Sequence, residues 1–159
     1  MTLPGLATCW LGGCSGCHMS LLNLHNGFPD LLQRCRLLYS PLMDLKDFPE
    51  KVDITLVEGA VNSRESRDMA RLIRQRSRLV VALGECACRG NVTALRNSYD
   101  VHAMIDSTYG SGFHQPQEGE LLPQALALHR VIRVDAFLPG CPPDPVVIST
   151  ILEDLFDHC

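Results

Sequence analysis

The chain has 159 residues, 46% of them apolar and 20% charged, which suits one compact domain with a proper core. Its 14 Lys and Arg against 18 Asp and Glu leave a formal net charge of −4, and without a long basic stripe this argues against nucleic acid as the main partner. No stretch is apolar for long enough to form a transmembrane segment, and Met1-Thr2-Leu3-Pro4-Gly5-Leu6 carries neither a basic n-region nor twin arginines, so the expected location is cytoplasmic.

In chain order, Leu6 to Leu11 reads as a strand ending at Gly12-Gly13. Ser20 to Arg34 reads as a helix with apolar Leu21, Leu22, Leu24, Leu31 and Leu32, and Trp10 as a core residue. Leu37 to Tyr39 and Val52 to Val57 are the next strands, and Asn62 or Ser63 caps a helix carrying most of the six arginines between Arg64 and Arg78. Those arginines alternate with Met69, Leu72 and Ile73, so they read as a solvated face, with docking to an acidic protein surface as the sharper alternative. Leu79 to Leu83 reads as a fully buried parallel strand, followed by a short helix from Asn91 to Arg96 and a surface loop over Tyr109 to Pro116. Val131 to Phe137 supplies another strand. The last helix begins with Asp144 as cap and Pro145 in first position, and aligns Ile148, Ile151, Leu152, Leu155 and Phe156 on one face. Strands alternating with helices predict a parallel α/β sheet in a single domain, 1–159, with ligands at the carboxyl ends of the strands.

Four of the eight cysteines fall in three places that follow apolar runs: Cys14 and Cys17 in G-G-C-S-G-C-H, Cys86 in L-G-E-C-A-C-R-G-N, and Cys141 in L-P-G-C-P-P-D. Four thiolates arriving from several sides, with glycines letting the backbone approach, suit a cubane iron-sulfur cluster. A C-x-x-C pair also reads as structural zinc, but Cys86 lies 68 intervening residues after Cys17 and Cys141 another 54 after that. A thioredoxin-like pair would leave Cys86 and Cys141 unexplained. Without an export signal, eight cysteines favour metal chemistry over disulfides. Cys9, Cys35 and Cys159 lie in no ligand-like turn and read as buried or free thiols.

The blocks G-C-S-G-C-H-M-S, V-E-G-A-V, G-E-C-A-C-R-G-N and P-G-C-P-P-D, in that order, resemble the signature blocks of nickel-iron hydrogenase small subunits. G-N-V-T-A-L-R-N is especially similar to the cytoplasmic bidirectional, NAD-reducing group. The resemblance implies a flavodoxin-like domain whose Cys14, Cys17, Cys86 and Cys141 ligate one proximal 4Fe-4S cluster, beside the nickel-iron centre of a separate large subunit. It implies no catalytic residue in this chain. Electrons would pass between that large subunit and diaphorase iron-sulfur/flavin subunits, a related NADP- or F420-linked hydrogenase being the alternative. Larger relatives add a C-terminal domain with two more clusters, for which this sequence has no room, so one cluster is expected.

A related subunit of respiratory complex I has adjacent cysteines in its first block; here Ser15 and Gly16 separate them, which favours hydrogenase. The two extra cysteines of oxygen-tolerant membrane-bound hydrogenases would correspond to Gly16 and about Asn91, so that modified cluster is not expected, while Cys88 departs from the pattern. Glu58 would lie near the cluster, receiving hydrogen bonds from turn amides or relaying protons. His18 would touch a cluster sulfur, a partner or solvent. His18, Met19, Glu58 and the Gly90-Asn91 turn are expected on or near a large apolar interface. FMN at the strand ends is possible but not favoured, because the cysteine motif occupies the first turn where a phosphate loop would lie. A zinc-stabilised interaction subunit without redox activity is a third reading.

Overall fold

The computed structural model describes residues 3–24, 28–117 and 119–157. Five parallel strands form the main sheet: β1 (Gly5–Trp10), β2 (Arg36–Tyr39), β3 (Val52–Glu58), β5 (Ser77–Leu83) and β7 (Ala136–Leu138), in the order β2-β1-β3-β5-β7. This is the doubly wound, flavodoxin-like order, with its switch point between β1 and β3. A small antiparallel pair, β4 (Val61–Ser63) with β6 (Leu121–Leu126), lies beside it.

Successive residues of the buried strands point to opposite faces, and the sequence supplies apolar groups for both. Leu6, Ile54, Leu56, Val81 and Leu83 pack on one face with Leu21 of α1 (Gly16–Leu22), Leu31 of α2 (Phe28–Arg34) and Ile148, Leu152 and Phe156 of α7 (Pro145–Asp157). Ala7, Val57, Val80 and Ala82 pack on the other with Ala70 and Ile73 of α3 (Arg64–Arg76) and Ala87 and Cys88 of α4 (Gly84–Arg89).

Two predicted caps are present. Ser63, rather than Asn62, opens α3: its hydroxyl accepts from Ser66 N–H at 3.1 Å while Ser66 Oγ accepts from Ser63 N–H at 2.9 Å. Asp144 Oδ1 accepts from Val146 N–H at 2.8 Å ahead of Pro145. Along α3, Arg64 pairs with Glu120, Arg67 and Arg71 with Asp68, and Arg74 with Asp135, so intramolecular partners occupy much of the arginine face.

The structure corrects the expected elements in several places. The single helix predicted over Ser20 to Arg34 is two, α1 starting earlier at Gly16 and stopping at Asn23, and α2 starting at Phe28; Pro29 is tolerated in the first turn of α2 but would break a continuous helix. Cys86 lies in the first turn of α4, a helix not expected from the sequence. The short helix predicted from Asn91 is α5 (Asn91–Ala94), continued by a 3₁₀ turn over Leu95–Ser98. Two elements lacked a strong apolar pattern: α6 (Val101–Tyr109), capped by Asp100 Oδ1 on Ala103 N–H at 2.9 Å, and β6. Only Ala136–Leu138 of the strand predicted over Val131 to Phe137 is extended. Upstream of it Asp135 replaces the ladder, its carboxylate accepting from Val80 N–H at 2.8 Å and from Arg74 at 2.5 Å. Trp10 is 46% exposed instead of core, because β1 ends there and carries its last side chain out of the sheet.

Candidate functional site

The predicted site residues gather at the carboxyl ends of neighbouring strands. Cys14 and Cys17 follow β1, Glu58 ends β3, Cys86 follows β5 and Cys141 follows β7. Leu11, Gly12, Gly13, Cys14, Cys86 and Cys141, with Asn91, Val92 and Thr93, line one hollow of about 460 Å³. Cys17 lies deeper. Burial pushes its thiol up to about 12, and the neighbouring charges of Glu58, Cys86, Cys14 and Cys141 push the same way. Cys14, Cys86 and Cys141 therefore all lie within electrostatic reach of Cys17.

Specific bonds tie these turns together. The chain after β1 crosses the chain after β3 through Leu11 N–H to Glu58 O at 2.8 Å, Gly12 N–H to Ala60 O at 2.9 Å and Ala60 N–H to Gly12 O at 2.8 Å. Gly59, with φ +93°, is required at that crossing, since a Cβ would meet Gly12 backbone atoms at 2.9 Å. Glu85 N–H donates to Gly140 O at 2.9 Å, fixing the start of α4 to the Cys141 turn, and Ser20 Oγ donates to Pro143 O at 2.5 Å, fixing α1 to the same turn.

Glu58 is 1% exposed and acts as the missing cap of α1, whose own N-cap Ser15 makes no side-chain bond to the helix. Its carboxylate accepts from Cys17 N–H at 3.4 Å and His18 N–H at 3.0 Å, two of the amides a helix start leaves unpaired. It also pairs with His18 Nδ1 at 2.5 Å. Of the two roles expected for Glu58, the geometry supplies turn stabilisation. His18 is 3% exposed, so it is neither at solvent nor on a partner surface, and its Nε2 is buried with no hydrogen-bond partner among the described residues. Burial of His18 and Glu58 leaves exposed Met19, Val92 and Leu95 to represent the expected interface near the turns.

Cys9 and Cys35 are buried free thiols, as expected; Cys159 lies outside the described residues. Cys88 is also buried: its thiol, pushed up to about 11 by burial, donates to Ala82 O at 3.5 Å inside the second core. It is a packing residue under α4.

The motifs gave no contact with the cysteine turns to Gly84, Asn91 or Thr93. At Gly84, φ +84°, a Cβ would lie 2.2 Å from Cys17 Sγ, so only glycine leaves that sulfur its place. Asn91 Nδ2 donates to Cys141 Sγ at 3.6 Å, and Thr93 Oγ1 donates to Gly12 O at 3.3 Å. The positive φ of 41° at Asn91 follows the familiar Gly-Asn turn signal, but nothing in the sequence revealed where its side chain points.

Residues 14–155 match the family model described as NADH ubiquinone oxidoreductase, 20 Kd subunit. The chain is 33% identical to a subunit of the F420-non-reducing hydrogenase of Methanothermobacter marburgensis, over 92% of this chain and 51% of that one, so it spans about half the length of that relative. It is 33% identical to the NAD-reducing hydrogenase HoxS subunit delta of Cupriavidus necator, over 94% of this chain and 77% of that one. Among solved structures, the crystal structure of an NAD+-reducing [NiFe]-hydrogenase in the H2-reduced state superposes with a TM-score of 0.91 at 34% identity, covering 98% of this chain and 92% of that one. The chain belongs to the NADH ubiquinone oxidoreductase 20 Kd subunit family, and within that family it is similar to subunits of hydrogenases.

Proposed function

We propose that this chain is the electron-transfer subunit of a nickel-iron hydrogenase. It would hold one proximal 4Fe-4S cluster by Cys14, Cys17, Cys86 and Cys141, between the nickel-iron site of a large partner subunit and an NAD-reactive diaphorase module in the cytoplasm. The observation that carries this reading is that Cys14, Cys86 and Cys141, from three strand ends, line one hollow with Cys17 buried nearby.

The donor set fits the group. Thiolate is the ligand of cubane clusters, and cysteines from three strand ends supply the four such a cluster takes. A relative from Archaeoglobus profundus, 27% identical over 93% of this chain, is itself named an iron-sulfur subunit of a hydrogenase, which points the same way. The cluster supplies a one-electron couple whose potential answers to nearby charge, hydrogen bonds and solvent. The chain's own residues do the holding: Glu58 fixes the Cys17 and His18 amides, Gly84 leaves room for Cys17 Sγ, and Ser20 and Glu85 lock the Cys141 turn.

FMN finds less support. The hollow beside Trp10, Tyr39 and Ser63 measures about 280 Å³, at the lower edge of ligand pockets, and the cysteine turn occupies the first phosphate position. Absorption near 400 nm with iron and sulfide analysis separates cluster, flavin and zinc. In the intact complex, Cys141→Ser should abolish hydrogen-driven NAD reduction and spare NADH-driven dye reduction, while Cys35→Ser should change neither. Full hydrogen-driven activity in Cys141→Ser would reject the relay role.

A further inference from the structure

The turn between α4 and α5 places a carboxamide against the thiols. Asn91 Nδ2 lies 3.6 Å from Cys141 Sγ, a hydrogen-bonding distance for the larger sulfur atom. A thiolate only accepts, so the amide must present its NH2 group to that sulfur.

We propose that Asn91 is a positioning and tuning residue, whose carboxamide donates to the sulfur of Cys141 and raises the potential of the cluster that cysteine holds. This rests on the assignment of Cys141 as a ligand. Adding an electron increases the negative charge on the ligand sulfurs, so an N–H donor stabilises the reduced state more than the oxidised one. Removing the donor makes the cluster harder to reduce. The backbone at Asn91, φ 41°, is one that glycine adopts freely, so Asn91→Gly deletes the donor without straining the turn. Asn91→Asp keeps the shape and replaces the donor with a charge.

The test is an EPR-monitored redox titration of the purified hydrogenase complex. Asn91→Gly should reduce the ratio of reduced to oxidised cluster about tenfold at the parent midpoint, a downward shift of about 59 mV for one electron. Asn91→Asp should shift further in the same direction, and serves as the measurement if the glycine variant fails to retain its cluster. Parent potentials in Asn91→Gly, or a higher potential in Asn91→Asp, would overturn the proposal. Absence of any cluster signal from the parent complex would instead overturn the ligand assignment beneath it.

Discussion

Gly84 and Gly110 share a positive φ, +84° and +93°, yet differ in what a side chain would meet, and the pair isolates the role of close approach at the cluster turn. An alanine at either position carries about 1–3 kcal/mol of backbone strain. At Gly110 the Cβ has no atom within 4 Å; at Gly84 it lies 2.2 Å from Cys17 Sγ. Favourable contacts begin at about 3.5 Å, so that sulfur must retreat by roughly 1.3 Å, while a preorganised site tolerates about 0.5 Å. Without metal, the Cys17 side chain can rotate aside at small cost, so the two variants should melt within a few degrees of each other as metal-free chains. With metal the sulfur has no such freedom. Gly84→Ala should therefore lose most of its iron and its absorption near 400 nm with all four cysteines present, and Gly110→Ala should keep both. Equal iron content in the two variants would refute the reasoning.

Two further outcomes follow from the buried polar groups. Glu58→Gln keeps one acceptor for three donors, the Cys17 and His18 amides and His18 Nδ1, and should cost about 3 kcal/mol, a fall of roughly 6–12 °C in melting temperature; an unchanged melt would contradict the capping role. Burial alone would raise the pKa of Asp135, but hydrogen bonds from Arg74 and Val80 N–H and the charges of Arg74 and Arg133 prevail and hold it below the usual range. A lowered folded-state pKa stabilises above the unfolded value of about 3.9 and is lost as pH falls through the folded value. Asp135→Asn should thus be less stable than the parent at neutral pH, with the gap closing in acid; an equal gap in urea melts at both pH values would refute it.

The sequence was most legible where one physical signal acted alone. The period of the apolar residues found the central strands, and Asp144-Pro145 found the start of α7, because a cap and a fixed φ act locally. It was least legible where a distant group took over a local task. Asp135 substitutes a side chain for strand pairing with β5, so Val131 to Val134 looked extended and are not. α6 and β6 pack at the margin of the fold, and their weak patterns left no period to read. For the site, chain-order motifs identified the cysteines, while Gly84 and Asn91 became meaningful only when β5 and β7 lay side by side.

That dependence explains how the site is built. Glu58 from β3 caps α1, Glu85 from α4 binds the Cys141 turn, Ser20 from α1 binds it too, and Asn91 reaches the same cysteine. Every one of these bonds joins two strand ends that are far apart in sequence and is set by how the sheet places them. The four thiols are consequently positioned by the finished fold rather than by any local loop. A cluster inserted there would bind the folded chain more tightly than the unfolded one, so its loss should lower the melting temperature of the whole domain, not only loosen the turns that touch it.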